Sequence, residues 1–144
     1  MVYHGSSVNK TTDVPLTGMA AASLLIGGFY PLTQIYQHVA DRKDGVQTIS
    51  ALLGYRGTFI FTAIIYSVAM GLLAWLFMSN GQFIKFGVLA TCMLPILVYF
   101  FWWAARVWKN ENVADFTHTM RMNLLASMCT NLGFLILLTW HLFE

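Results

Sequence analysis

Charged side chains are scarce in this chain. Its 144 residues include eight Lys and Arg and six Asp and Glu, while 58% of the residues are hydrophobic. Soluble domains carry about 25% charged residues, so a charged fraction of 10% argues against a soluble fold. The few charges are clustered between apolar stretches long enough to cross a bilayer. This pattern predicts an integral membrane protein whose surroundings are the lipid bilayer.

The sequence also contains few cysteines and little net positive charge. Cys92 and Cys129 both fall within apolar stretches and form no CxxC or Cys/His pattern, which argues against a disulfide framework or a thiolate metal site. The net charge of +2 comes without a basic run carrying interleaved aromatics, so no nucleic acid is expected as a partner. The sequence also lacks a nucleotide-binding loop and a haem-ligand pair.

The beginning of the sequence is polar. Residues 1–13 contain no apolar segment of the kind that forms a signal peptide. We expect them to form a loop that leads directly into a membrane span. An excerpt from the middle of a longer membrane protein would begin in the same way.

Four apolar stretches predict an all-α fold, a polytopic transmembrane bundle of about four helices in which residues 1–144 form a single domain. The predicted spans cover residues 15–36, 59–77, 86–103 and 124–142. Stretches of this length match a hydrocarbon core about 30 Å thick. Gly27, Gly28 and Pro31 interrupt the first span, which indicates either broken backbone beside a pocket or an ordinary proline kink.

Basic residues are unevenly divided between the connections of these spans, and such a division predicts orientation in the membrane. The predicted loops at residues 37–57 and 106–123 would lie on the same side. Six basic residues belong to that side and two to the other: Arg42, Lys43, Arg56, Arg106, Lys109 and Arg121 against Lys10 and Lys85. Both loops are therefore predicted to be cytoplasmic, with both termini on the outer side.

The first of these loops holds residue types suited to metal and phosphate chemistry. Gln37, Asp41 and Asp44 stand at i, i+4 and i+7, so they would share one face if the first span continues as a helix. Such oxygen ligands suit Mg²⁺, which one or two carboxylates and substrate phosphates commonly hold. Three basic residues nearby could neutralise phosphate charge: Arg42, Lys43 and Arg56. The alternative is an ordinary juxtamembrane loop, which carries charged residues because it is exposed to water.

The order and spacing of this loop favour the chemical interpretation. Asp41-Arg42, Gly45, Thr48 and Leu53-Gly54 stand at fixed intervals, with Tyr36 and Gln37 upstream. The string resembles the second aspartate-rich motif of the UbiA-type intramembrane prenyltransferases, which carry roughly N/D-x3-D-x3-D-R-x2-G-x2-T-x4-LG on a cytosolic loop. The cytoplasmic position that the basic residues predict agrees with this resemblance.

The resemblance implies a transferase that moves an isoprenyl group from a prenyl diphosphate to an acceptor, commonly an aromatic ring. In such enzymes Mg²⁺ ions bridge aspartates of two motifs to the diphosphate. By position Asp41 would be a metal ligand. Gln37 stands where the family has another aspartate and offers a carbonyl oxygen, while Asp44 lies outside the family's spacing and is a further candidate ligand. Tyr36 would lie beside the substrate.

The second predicted loop would lie over the same site. Arg106 and Lys109 are candidate diphosphate contacts there, together with Arg121. Asp115 and His118 are candidate contacts for the acceptor. The alternative for each of these residues is a solvated loop position with no direct role.

The resemblance spans this whole sequence but only the C-terminal half of the family. Members have about nine spans and an earlier aspartate-rich motif after the second, and this sequence contains neither the earlier motif nor the additional spans. The four spans would correspond to the sixth through the ninth. Three interpretations follow: a fragment that is inactive alone, a subunit that needs a missing N-terminal half, partner subunit or second copy, or a non-enzymatic membrane protein.

Overall fold

The computed structural model describes residues 16–140, and this part of the chain is helical with no strand. Its helices are α1 (Leu16–Thr33), α2 (His38–Asp44), α3 (Ile49–Ser79), α4 (Phe83–Lys109) and α5 (Phe116–Trp140), with short 3₁₀ segments at Ile35–Gln37 and Glu111–Val113. The predicted all-α fold is confirmed. The expected loop at residues 1–13, the predicted start of the first span at Pro15 and the predicted end of the fourth at Leu142 lie outside the described residues.

Four stretches of this fold are long and apolar enough to cross a membrane. They are Leu16–Asp44, Ile49–Ser79, Phe83–Lys109 and Phe116–Trp140. The first combines α1, a 3₁₀ segment and α2, and each of the others is one helix. Their number and order confirm the predicted multi-pass transmembrane bundle.

The two predicted polar loops are largely helical, so this part of the prediction is wrong. Residues 38–44 and 49–57 belong to α2 and α3, while residues 106–109 and 116–123 belong to α4 and α5. At about 1.5 Å per residue, the 31 residues of α3 extend well beyond a hydrocarbon core about 30 Å thick. Hydropathy indicates where a helix leaves the lipid, whereas capping residues set where the helix ends.

The long helices form two packed pairs, and these pairs contact each other. α1 lies along α3, α5 lies along α4, and α3 joins the two pairs by packing against α4. Phe59 lies at the centre of the contact between α3 and α4. Its ring centroid lies 5.5 Å from that of Phe100 and 5.0 Å from that of Trp103. α1 and α5 contact each other at only a few positions, and an open cavity of about 430 Å³ lies between them elsewhere. We name this cavity the α1/α5 cleft.

The glycine and proline residues of α1 do not end the helix. Pro31 lies inside α1, which continues to Thr33. The hydroxyl of Thr62 on α3 donates to the carbonyl oxygen of Gly28 at 3.0 Å and so ties α3 to α1. A Cβ atom at Gly28 would lie 2.5 Å from Cγ2 of Ile65, whereas one at Gly27 would meet nothing within 4 Å. Gly28 is therefore the close-packing position of this pair of helices.

This difference between neighbouring glycines gives a stability prediction. Gly28→Ala should destabilise the fold by about 1–3 kcal/mol, because α1 must move away from Ile65. Gly27→Ala should be neutral or stabilising, since alanine favours a helix by about 1 kcal/mol over glycine. Thermal unfolding of the detergent-solubilised chain checks both variants. Equal melting temperatures for the two would contradict this account of the packing.

Candidate functional site

The residues of the proposed motif come together in the turn between α2 and α3. α2 ends at Gly45, which has φ 68° and whose N–H donates to the carbonyl oxygen of Asp41. Only glycine adopts this left-handed conformation without strain. α3 begins after Thr48, whose hydroxyl oxygen accepts the N–H of Ala51 at 3.2 Å as an N-cap. Two of the motif's residues thus end one helix and start the next.

Asp41 is held by this turn. Thr48 Oγ1 donates to Asp41 Oδ2 at 3.1 Å, so the same hydroxyl caps α3 and fixes the carboxylate. Oδ1 of Asp41 has no hydrogen-bond partner within residues 16–140. An open cavity of about 310 Å³ lies beside the turn and is lined by Asp41, Arg42, Gly45, Val46, Gln47, Ala51 and Leu52. A carboxylate and a guanidinium therefore share one water-accessible cavity.

The other two candidate metal ligands are placed differently. Gln37 lies in the 3₁₀ segment before α2, so the continuous helix that would align it with Asp41 is interrupted. Its Nε2 atom donates to the hydroxyl of Tyr36 at 2.8 Å. Asp44 is the exposed last residue of α2. Within residues 16–140 no three His, Cys, Asp or Glu side chains are grouped in a way that could hold a metal ion.

The candidate phosphate-binding residues lie in different surroundings. Arg42 lines the cavity beside Asp41, and Lys43 and Lys109 are exposed. Arg56 donates from Nη2 to the carbonyl oxygen of Trp108 at 3.2 Å. The guanidinium of Arg106 lies 4.6 Å above the ring of Trp102. Arg56 thus connects α3 to the end of α4, and Arg106 is engaged with an aromatic ring of its own helix.

The end of the bundle that carries the turn is also joined to the start of α5. The ring of Tyr36 meets that of Phe116 edge to face, with 5.1 Å between centroids. Together with the contact of Arg56 to Trp108, this brings both predicted loop regions to the same end of the bundle. Both regions therefore lie at one end of the bundle, although each is mostly helical, and the side of the membrane on which they lie stays a prediction.

A buried polar network behind the turn was not predicted from the sequence. His38 Nε2 lies 2.6 Å from Ser50 Oγ, and Ser50 Oγ lies 3.2 Å from Thr58 Oγ1. All three residues have no exposed surface. Thr58 Oγ1 also donates to the carbonyl oxygen of Gly54 at 2.8 Å, where α3 kinks with φ 69° and ψ 179°. The network fastens α2 to both sides of this kink.

His38 is the residue on which this network depends. Its ring lies 4.6 Å from that of Tyr55, and its Nδ1 atom is buried without a hydrogen-bond partner in the described part of the chain. α2 also carries Asp41, so the network holds the helix on which the candidate carboxylate lies. His38 and Ser50 fall within the predicted polar loop at residues 37–57, where polar side chains are ordinary, so no sequence signal distinguished them.

We expect His38→Ala to destabilise the fold by about 1–3 kcal/mol, because Ser50 loses a buried hydrogen-bond partner. Val39→Ala is the matched control, since Val39 is on the same helix and is 60% exposed. Chemical denaturation followed by circular dichroism in detergent measures both. A loss of stability at His38 no larger than at Val39 would show that the network does not hold α2.

Asp115 and His118 form a pair at the start of α5. Asp115 Oδ1 accepts the N–H of His118 at 2.8 Å and lies 2.8 Å from its Nδ1 atom. The His118 ring is stacked on Trp103 at 6.2 Å between centroids. Burial raises the pKa of Asp115, but hydrogen bonds from His118 and Thr117 and the charge of His118 outweigh it, and the pKa lies below 3.8. These candidate acceptor contacts thus cap α5.

The lowered pKa of Asp115 predicts a pH dependence of stability. Because the pKa is lower in the folded state than in the unfolded state, ionised Asp115 stabilises the fold above the unfolded value. This stabilisation is lost as the pH falls through the folded pKa. The stability difference between wild type and Asp115→Asn should therefore shrink as the pH falls from about 5 to about 3. Thermal unfolding across this range measures it, and a constant difference would contradict the assignment.

Comparison with known proteins adds no family assignment: no family model, no curated protein and no solved structure matches this chain. The resemblance to the UbiA-type motif therefore depends on the spaced residues in the α2–α3 turn.

Proposed function

We propose that this chain is the C-terminal half of a UbiA-like prenyltransferase and that the α2–α3 turn is half of its diphosphate site. Asp41 would be the metal ligand of this half, with Gln37 and Asp44 as further oxygen donors. A partner polypeptide would supply the earlier, first aspartate-rich motif, so the isolated chain would be incomplete. The expected substrate is a prenyl diphosphate, and the acceptor would be an aromatic or similar compound.

The arrangement of Asp41 is the observation that carries this proposal. Its carboxylate is fixed through Oδ2 by Thr48 and lies on an open cavity together with Arg42. A fixed carboxylate oxygen beside a guanidinium suits Mg²⁺ held jointly with a diphosphate, because this ion needs few protein ligands when phosphate oxygens complete its coordination. Asp41 would supply one ligand of such a magnesium site, and the substrate and the partner polypeptide would supply the other ligands.

The chemistry follows from charge on the leaving group. When the C–O bond of an allylic diphosphate breaks, both electrons leave with the diphosphate and an allylic cation remains for attack by the acceptor carbon, which then loses a proton. Bound Mg²⁺ would supply positive charge to the departing diphosphate. Arg42 would add a second positive group at the cavity, and Lys43 is exposed on the same helix. Asp41 would hold the metal in place.

Orientation in the membrane belongs to the same proposal. The α2–α3 turn and the α4–α5 turn are at one end of the bundle, joined through Tyr36 and Phe116. That end carries six basic residues: Arg42, Lys43, Arg56, Arg106, Lys109 and Arg121. Positive residues in short connections favour the cytoplasmic side. We therefore assign both turns, and the diphosphate site, to the cytoplasm.

A non-enzymatic role is the second candidate. It is favoured by the contacts of Arg56 with Trp108 and of Arg106 with Trp102, which give two of the proposed phosphate contacts a packing role. It also agrees with the lack of a grouped acidic site among residues 16–140. In that case the chain would be a small helical membrane subunit, and its α2–α3 turn would be an anchor at the membrane surface.

Binding of an isoprenyl diphosphate distinguishes these two functions. We expect Mg²⁺-dependent binding to the purified, detergent-solubilised chain, weakened on the order of tenfold or more by Asp41→Asn. Microscale thermophoresis with and without a chelator measures it. Glu111→Gln is the matched control, because Glu111 is an exposed acid in the α4–α5 turn. Binding that ignores both Mg²⁺ and Asp41→Asn would contradict the prenyltransferase proposal.

A further inference from the structure

A stripe of polar side chains runs along α5 in an otherwise apolar span. Its residues are at helical spacings of i, i+4, i+7 and i+8 and therefore share one face: Asn123, Ser127, Thr130 and Asn131. All four line the α1/α5 cleft. We name this set the α5 polar stripe. All four members carry an amide or a hydroxyl group with both hydrogen-bond donors and acceptors, and none of the four is charged.

The stripe reaches the middle of the membrane. α5 runs from Phe116 to Trp140, so at about 1.5 Å per residue Asn131 lies roughly 22 Å from one end and roughly 14 Å from the other. Phe116 is at the end that carries the polar turns. Asn131 therefore lies at the depth expected for hydrocarbon, where water reaches an amide only through a cavity.

The described chain does not satisfy these groups. Asn131 is exposed, and its one hydrogen bond within residues 16–140 runs from Nδ2 to Ser127 Oγ at 3.4 Å. Asn123 has no side-chain hydrogen bond in the same range. The hydroxyl of Tyr66, which also lines the cleft, is buried without a partner. Polar side chains at this depth normally face a protein interior or pair with one another.

Closing the cleft within one chain would not supply those partners. The residues that α1 contributes to it are Leu25, Ile26 and Phe29, none of which has a side-chain hydrogen-bonding group. Moving α1 against α5 would therefore bury the amides of Asn123 and Asn131 against hydrocarbon, which costs several kcal/mol for each unpaired group in an apolar medium. The hydroxyl of Tyr66 on α3 is one further polar group of the cleft, but a single hydroxyl cannot pair with two amides that are eight residues apart on α5. At least one amide therefore needs a partner from outside the described chain, with a polar group at a matching depth.

We propose that the partner is a second copy of this chain and that the two α5 helices pair through the α5 polar stripe. All copies of a membrane protein with one orientation are related by an axis along the membrane normal, so their α5 helices run parallel. Each residue then meets its own equivalent at the same depth: Asn131 meets Asn131, and Asn123 meets Asn123. An amide carries both a donor and an acceptor, so each pair is self-complementary without charge repulsion.

This inference does not rest on the prenyltransferase proposal, because it follows from the polar groups of the cleft alone. It has a consequence for the other end of the bundle. A two-fold axis along the membrane normal brings the α2–α3 turns of both copies to the same side of the membrane. The dimer would therefore present two copies of Asp41 on one face, whatever substrate that face binds.

Disulfide trapping in liposomes tests the proposed register. The native thiols are removed with Cys92→Ala and Cys129→Ala, and single cysteines are introduced by Phe134→Cys or Leu132→Cys. Phe134 follows Ser127 by seven residues and lies on the face of the stripe, whereas Leu132 faces away from it. Both are about half exposed, at 47% and 54%. Phe134→Cys should give mostly cross-linked dimer on mild oxidation, and Leu132→Cys should give little.

The asparagines are then replaced in the Phe134→Cys background. Asn123→Leu with Asn131→Leu should lower the dimer fraction, corresponding to an association constant about fivefold to thirtyfold weaker. Circular dichroism and the melting temperature show whether the variant remains folded. Native mass spectrometry of the unmodified chain in nanodiscs should give a dimer. A monomer, equal cross-linking at positions 132 and 134, or a dimer unaffected by the leucine substitutions would overturn the proposal.

Discussion

The hydroxyl of Thr48 makes two hydrogen bonds on which the α2–α3 turn depends. It accepts the N–H of Ala51 and so begins α3, and it donates to Asp41 Oδ2 and so fixes the carboxylate at the end of α2. The same oxygen therefore defines a helix boundary and the direction of a candidate ligand. Gly45 completes the turn, because only a residue free to adopt φ 68° can end α2 at that point. The motif spacing corresponds to one compact piece of local structure.

This local character explains how much of the site the sequence could predict. Asp41, Gly45 and Thr48 are within eight residues, so their spacing alone indicates a common turn. The His38–Ser50–Thr58 network is different, since it forms only because α3 kinks at Gly54 and returns Thr58 to Ser50. The contact of Arg56 with the end of α4 could not be predicted either, because it requires the packing of two helices whose contacting residues are distant in sequence.

The fold itself was predictable for a related reason. Four apolar stretches must become helices in a bilayer, because helices satisfy every backbone hydrogen bond internally. The number of spans therefore follows from composition. The helix ends do not, because Arg106 and Lys109 remain helical after α4 leaves the hydrocarbon, and Asp115 starts α5 before the helix enters it. A helix can continue from the membrane into water. The polarity of the sequence alone therefore predicts loops that are longer than the observed ones.

Polar groups are satisfied differently at the basic end of the bundle and along the cleft side of α5. At the basic end, buried hydroxyls are paired through His38, Ser50 and Thr58, and polar side chains cap the starts of α3 and α5. On the cleft side of α5, Asn131 makes one side-chain hydrogen bond within residues 16–140, to Ser127, and Asn123 makes none there. Water satisfies an open carboxylate at the membrane surface, whereas at hydrocarbon depth it reaches an amide only through a cavity. The turn at Asp41 therefore forms within one chain, whereas the proposed pairing of two α5 helices would satisfy the amides of the α1/α5 cleft.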